Sequence, residues 1–262
     1  MAIIFDGYKF AAKKEKSLKR EVKKLLEKGV RPKLVSIIVG DDPASKLYVN
    51  LKKKAAERIG AEVEIVRLSL GIRVEEIIQT IKQFNNDDKV KGIMVQLPLP
   101  EKIDNSRLRI IGSIIPKKDV DGLKKNSQYI HPTAKAVLQI IEVAWKRYDI
   151  SDSGCTICIV GAGGMVGGFL VKEIAKTKLQ LIKETKNADI VVSATGKPGI
   201  IKKEMVKERV IIIDVGSPFG DVDFKRVLPK ASFITPVPGG VGPVTISCLL
   251  ENLVIASQDA LC

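Results

Sequence analysis

Apolar runs and helical stripes alternate along the chain. KLVSIIVG (33–40), EVEIVRL (62–68) and VKGIMVQLPLP (90–100) read as strands. The first is a continuous apolar run of the kind buried on both faces of a parallel sheet. Helical periodicity fills the gaps: one helix from about Ala12 to Lys28, stopped by Gly29, and another opened by DDPAS and stopped by Gly60. In the second, Asp42 is placed to cap and Pro43 suits the first helical position. VEEIIQTIKQFN (74–85) is a third. This β-α-β-α-β order predicts an open α/β domain. PKKDVDGL (116–123) is a polar loop and a boundary, and AKAVLQIIEVAWKR (134–147) is a long helix. A second α/β unit follows: the strand CTICIVG, the turn GAGGMVGG, the helix FLVKEIAK, the strands ADIVVSATG and RVIIIDVGS, then SFITPVPGGVGP and a closing helix, VTISCLLENLVIAS. No strand is legible between FLVKEIAK and residue 189. The expected architecture is α/β, with two open domains at 1–118 and 119–243 and a cleft between them. The second is Rossmann-like, and a C-terminal helix (244–262) packs back on the first.

The helix that ends at Gly60 carries one misplaced charge. At 100° per residue, Ala44, Ala55 and Ile59 fall within about 40° of Tyr48 and make an apolar stripe. Lys46, Asn50, Lys53, Lys54 and Glu57 fall on the opposite side. Lys52 lies about 40° from Tyr48, inside or beside the stripe. Such a lysine either lays its stem on apolar surface with its head in water, or stands over a cleft. In a water-poor cleft, desolvation lowers its pKa and makes the amine a usable base. Tyr48 at i−4 and Ser45 at i−7 share that side. Gln96 closes a buried strand, where ligands gather in open α/β sheets and where it can reach the lysine. Asp119 and Asp121 in DVDG are either turn formers or carboxylates for a guanidine-like ring edge.

IVGAGGMVGG has the strand-turn-helix context of a dinucleotide-binding loop. Gly161, Gly163 and Gly164 let backbone N–H groups approach a pyrophosphate, and the third glycine of the signature is Gly167 rather than residue 166. No acidic residue stands at a following strand end to hold a ribose. Lys176 and Lys178 nearby favour a 2′-phosphate, so NADP is expected, with NAD as the second candidate.

Composition narrows the class. The 262 residues are 45% hydrophobic and 28% charged, which indicates a soluble, globular chain. No signal peptide or membrane-spanning run is recognised, so the expected location is cytoplasmic, without membrane partners. The net charge is +14, but the lysines are spread over nearly every helix and only 5% of residues are aromatic, which argues against nucleic acid. The charge suits either a solvated surface or a polyanionic small molecule. Cys155 and Cys158 form a lone CxxC on a strand, far in sequence from the single histidine, His131, so packing is expected and a metal is not.

DDPASKLYVNLKKKAAERIG, GIMVQLPLP, PKKDVDGL, IVGAGGMVGG, ADIVVSATGKPG and ITPVPGGVGPVT, in this order, resemble the bifunctional methylenetetrahydrofolate dehydrogenase/cyclohydrolase family from about residue 35 to the C-terminus. The resemblance implies NADP-dependent oxidation of 5,10-methylenetetrahydrofolate to the methenyl cation, then its hydrolysis to 10-formyltetrahydrofolate. Domain 1–118 would be catalytic and folate-binding, and 119–243 NAD(P)-binding. By position, Lys52 matches the catalytic lysine, Tyr48 the tyrosine beside the pterin and Gln96 the glutamine bound to the lysine. Asp121 matches the aspartate at the pterin edge, Ser45 a serine beside this group, and Gly239, Gly240 and Val241 a loop bordering the folate. Gly161, Ala162 and Gly163 match the cofactor turn, and Ser217 a position at the nicotinamide end. The family further implies a homodimer formed through the cofactor domains. The chain departs from the pattern as well. Ala162 and Gly163 leave no serine in the turn, HPTA (131–134) replaces PCTP, and the chain is shorter after DVDG, FLVKEIAK and DVGSP. The second gap would remove a central strand. Two competing expectations are a shikimate-dehydrogenase-like oxidoreductase, which leaves VQLPLP and PGGVGP unexplained, and a folate- or dinucleotide-binding regulator without catalysis.

Overall fold

The computed structural model describes residues 2–148 and 154–260. In chain order the elements are β1 (Ile3–Ile4), α1 (Gly7–Glu27), β2 (Lys33–Val39), α2 (Pro43–Ile59), β3 (Glu62–Leu68), α3 (Val74–Asn86), β4 (Gly92–Val95), α4 (Glu101–Asp104), α5 (Arg107–Gly112) and α6 (Pro132–Tyr148). They continue with β5 (Thr156–Val160), α7 (Met165–Ile174), β6 (Gln180–Ile182), β7 (Ile190–Ser193), β8 (Val210–Asp214), α8 (Phe224–Val227), β9 (Ala231–Ile234) and α9 (Val241–Asp259). The chain divides into two compact units, one of residues 12–132 with 246–262 and one of residues 1–11 with 133–245.

The first unit holds a parallel three-stranded sheet in the order β3-β2-β4. Its central strand explains the continuous apolar run. Leu34 joins a cluster with Leu18, Val22, Ala55, Ile59 and Leu253, whereas Val35, Ile37 and Val39 join another with Ile77, Ile81 and Ile93. A strand covered on both faces has no position for a polar alternation.

The second unit is a parallel six-stranded sheet in the order β1-β9-β8-β7-β5-β6. After β5 the chain passes through α7 to β6 on one side, then returns to β7 on the other. The strand order therefore reverses at the C-terminal end of β5, the position where open α/β sheets bind ligands.

Four expectations are corrected. A strand does follow α7: β6 pairs with β5 from Thr156↔Gln180 to Cys158↔Ile182. Three residues at the sheet edge, with Gln180 and Leu181 exposed, are too short to leave a periodicity. The unit boundaries fall at 11/12, 132/133 and 245/246 rather than 118/119 and 243/244, because β1 pairs with β9 and the loop after Asp119 stays with the three-stranded sheet. α9 is long and apolar enough, by length and composition, to cross a membrane, although the sequence showed no such run. Most of it is buried, with Leu249, Leu250, Leu253 and the polar Asn252 and Ser257 inside, as in a core helix. Ala44 is exposed. Cys155 and Cys158 are buried free thiols, and burial raises the pKa of both. Residues 261 and 262, the expected end of the closing helix, lie outside the described residues.

Candidate active site

α2 is fixed at both ends. The Asp42 carboxylate accepts the Ser45 backbone N–H at 2.7 Å. Gly60, at φ 85°, ends the helix in the left-handed conformation that glycine adopts without strain. The buried residues of α2 are Ser45, Val49, Ala55, Ala56 and Ile59. On a helical wheel they span an arc centred about 40° from Tyr48, the angle of Lys52 itself. The lysine thus stands at the middle of the inward face, and Ala44 lies just outside the arc. Lys53 and Lys54 are exposed.

The Lys52 Nζ donates to Gln96 Oε1 at 2.9 Å and stands 3.6 Å from Met94 Sδ. Gln96 is positioned by the end of β4: its backbone N–H donates to Ile37 O at 2.8 Å, and its Nε2 donates to Leu97 O at 2.6 Å. With the amide NH2 engaged, only Oε1 is left to face the lysine. Burial pulls the Lys52 ammonium below the usual lysine range, and the Asp121 carboxylate opposes that shift. The lysine is therefore desolvated, anchored through one N–H, and near one carboxylate. Tyr48 lies one turn earlier, half-buried. Ser45 is drawn to the cap: both its backbone N–H and its hydroxyl bind Asp42 and hold that carboxyl below its usual range.

The two aspartates of DVDG divide their work. Asp119 is fully buried and accepts from the backbone N–H groups of Leu123 (3.3 Å) and Lys124 (3.0 Å), while the Ser127 hydroxyl donates to its carbonyl. Burial pushes its carboxyl up. It builds the strap 119–131, whereas Asp121 is half-buried and its carboxylate acts on Lys52. Asn252 of α9 ties the strap's two ends, donating to Val120 O and Ile130 O at 2.9 Å each. Lys118 anchors its start, its Nζ donating to the carbonyls of Phe84, Asn85 and Asp87 where α3 ends. Lys52, Gln96 and Asp121 are thus brought together inside one unit. Met94 and His131 also lie at this site; the sequence named His131 only as the single histidine and the start of HPTA, and a methionine inside a buried strand carries no signal.

The six-stranded unit holds the remaining candidates. Gly161 has φ 93°, and a Cβ there would stand 2.5 Å from Ala194 O. A Cβ on Gly167 would stand 2.0 Å from Gly161 O, so this is the glycine that lets α7 close on the turn. Gly163 has nothing within 4 Å of where a Cβ would be, and Ala162 and Gly164 are exposed beside it. The turn leaves open space over the N-terminus of α7, as a pyrophosphate requires. A groove of about 450 Å³ lined by Cys158, Val160, Lys183, Glu184, Lys186 and Met205 opens at the ends of β5 and β6. Glu184 accepts from Asn187 Nδ2 at 2.7 Å, which leaves the lysines as the groove's unengaged charge next to the strand end. Lys176 and Lys178 instead precede β6, and Lys176 is bound by both oxygens of Glu173 at 2.8 Å.

Ser217 is exposed in the loop after β8. Buried Asp214 shapes this loop, accepting from the N–H groups of Gly216, Asp221 and Val222, and Asp221 in turn accepts from Ser193, the Thr195 N–H and its hydroxyl. Gly239 has φ 100° and accepts the Gly7 N–H at 2.9 Å; a Cβ on Gly240 would meet Pro236 O at 2.4 Å; Val241 is buried at the start of α9.

Known proteins match both units. The family described as tetrahydrofolate dehydrogenase/cyclohydrolase, catalytic domain, matches residues 5–121, and its NAD(P)-binding domain matches 131–261. The bifunctional protein FolD of Nautilia profundicola is 39% identical over 282 residues, covering 98% of this chain and 97% of its own. That of Aquifex aeolicus is 40% identical over 280, covering 96% and 94%. An alignment of 282 positions cannot be filled by 262 residues, so the chain is internally shorter than that relative. The crystal structure of FolD methylenetetrahydrofolate dehydrogenase/cyclohydrolase from Campylobacter jejuni superposes with a TM-score of 0.90 at 35% identity, covering 99% of both chains. The Trypanosoma brucei enzyme, complexed with NADP cofactor and inhibitor, gives 0.89 at 31%, covering 99% of this chain and 98% of its own. With the family's catalytic domain matched over residues 5–121 and its NAD(P)-binding domain over 131–261, the chain belongs to the tetrahydrofolate dehydrogenase/cyclohydrolase family of bifunctional, NAD(P)-binding one-carbon enzymes.

Proposed function

We infer that the chain oxidises 5,10-methylenetetrahydrofolate to the 5,10-methenyl cation with NADP and hydrolyses that cation to 10-formyltetrahydrofolate. The observation that carries this reading is the desolvated Lys52 Nζ, fixed at 2.9 Å by Gln96 and near Asp121. The dinucleotide, when bound, supplies the hydride acceptor. Gly161, Ala162, Gly163 and the first N–H groups of α7 would hold its pyrophosphate, and Lys183 and Lys186 its 2′-phosphate.

The oxidation needs no base, because the ring nitrogen lone pairs drive hydride departure. It needs orientation and tolerance of a developing positive charge. A neutral lysine tolerates that charge better than an ammonium. Hydrolysis does need proton transfer. The Lys52 amine takes a proton from water as its oxygen bonds to the methenyl carbon, then returns it to the ring nitrogen as the carbon–nitrogen bond opens; the remaining hydroxyl proton leaves to solvent as the formyl carbonyl forms. Gln96 holds one N–H, so the lone pair keeps a fixed direction. Tyr48 flanks the pterin, Asp121 accepts from its guanidine-like edge, and Ser45 acts through the cap that sets the start of α2. Gly239, Gly240 and Val241 border the folate and Ser217 the nicotinamide. The chain works in the cytoplasm and, as the family resemblance implies, as a homodimer, and does not bind nucleic acid or membrane, for which the dispersed lysines and the burial of most of α9 speak.

Absorbance of methenyltetrahydrofolate tests the whole reading. It should rise with NADP and methylenetetrahydrofolate and decay by enzymatic hydrolysis. Binding of both ligands without turnover would show a regulator instead.

A further inference from the structure

His131 is the chain's single histidine, and it stands where the family's PCTP becomes HPTA. It is 8% exposed. Its backbone is pressed against the residue after Asp121: a Cβ on Gly122 would lie 2.7 Å from the His131 nitrogen and 3.0 Å from its Cα. Gly122 has φ 65°, so both its conformation and this approach require glycine. Asn252 holds the flanking carbonyls of Val120 and Ile130 together. The strap therefore packs the His131 backbone against Gly122, the residue after Asp121, and the Asp121 carboxylate acts on the buried imidazole. The charged groups acting on the imidazole are Asp121, from the strap itself, and Lys52, from α2. Asp121 also acts on the buried Asp119 carboxyl, and Glu251, the charged side chain of α9 nearest Asn252 in sequence, is bound to Lys14 at 2.7 Å.

We propose that His131 is a positioning residue for Asp121: the neutral imidazole leaves the carboxylate free to hold the folate ring edge, and the imidazolium pairs with the carboxylate and withdraws it. Acidification then weakens folate binding without slowing the bound enzyme. Burial holds the imidazole below its usual 6.5, with Asp121 pulling up and Lys52 pushing down, so the effect appears on the acid side of neutrality. The proposal rests on the assignment of Asp121 to the folate ring.

Two measurements test it. In steady-state assays from about pH 5 to 8, the wild-type KM for methylenetetrahydrofolate should rise by up to about tenfold per pH unit below the imidazole pKa, while kcat keeps the profile set by Lys52. In His131→Gln the KM should be flat on the acid side with kcat unchanged in shape. An acid-side rise in KM that persists in His131→Gln, or a change confined to kcat, overturns the proposal. The second measurement needs neither substrate nor a His131 variant. A lone histidine gives unassigned-free imidazole proton resonances, whose titration reports its pKa directly. Asp121→Asn removes the one anion acting on the ring and should lower that pKa, and an unchanged value overturns the coupling. Failure of turnover in the wild type would sink the folate reading alone, since the resonance titration still decides whether His131 and Asp121 are coupled.

Discussion

Lys52→Met separates the chemistry of α2 from its packing. Methionine has nearly the stem length of lysine, and the site already contains Met94 Sδ 3.6 Å from the ammonium. The substitution removes the amine placed to move protons, so hydrolysis of the methenyl compound should fall by about 10²- to 10⁴-fold, the usual contribution of a positioned acid/base. Oxidation should fall by the same factor or less, because it needs no proton transfer. Stability should move in the opposite direction. Burial lowers the folded-state pKa of Lys52 from 10.5, so between that value and 10.5 the unfolded chain binds the proton that the folded chain does not. Wild-type stability rises with pH through that window, and below it the full penalty of a desolvated ammonium is present. Methionine removes the penalty and leaves Gln96 Oε1 without its donor, a cost of about 1 kcal/mol for a half-buried acceptor. The variant's advantage in urea unfolding should thus be largest at neutral and lower pH and shrink toward pH 10.5. Unchanged hydrolysis would refute Lys52 as the proton carrier. A variant uniformly less stable at all pH values would refute the desolvated lysine.

Three more perturbations follow from distances in the two units. Gln96→Glu places an anion beside Lys52 and favours its charged form, so the basic form should appear at higher pH; the hydrolysis profile should shift alkaline, with loss of rate near neutrality of roughly tenfold or more. Gly167→Ala drives a Cβ to 2.0 Å from a backbone oxygen and should lower unfolding stability by about 1–3 kcal/mol together with NADP affinity, whereas Gly163→Ala meets open space and should leave the thermal midpoint in place while weakening NADP in a fluorescence titration. Lys183→Glu combined with Lys186→Glu should raise the KM for NADP roughly tenfold or more and leave that for NAD nearly unchanged; equal loss for both cofactors would remove these lysines from the 2′-phosphate.

Lys52 was legible because a charge at the wrong angle on a regular helix is a local violation, and angle follows from sequence separation alone. β2 and the glycine turn were legible for the same reason: a long apolar run and a strand-turn-helix context are contiguous in the chain. β6 was not, because three edge residues gain their strand character only from Thr156 to Cys158 alongside. Asp119 and Asp121 look alike in DVDG; only the N–H groups of Leu123 and Lys124 decide which one is structural. The nearness of His131 to Lys52 depends on Gly122 and Asn252, residues whose meaning appears only after the chain has folded back. Lys176 and Lys178 precede β6 and Lys183 and Lys186 follow it, a distinction that distance along the sequence from the turn does not draw.

The pairing of β1 with β9 also sets an order on synthesis. Ile3 meets Phe233 and Ile4 meets Ile234, so the first strand leaves the ribosome long before its neighbour exists. At cellular elongation rates of roughly 5–20 residues per second it waits on the order of ten seconds or more. The unit built on the first sheet waits longer still, since it draws on residues 246–262. Neither unit can be completed on a nascent chain in sequence order, and a fragment cut after the catalytic segment would lack part of its own core. Leu249, Leu250 and Leu253, supplied last, are what closes it.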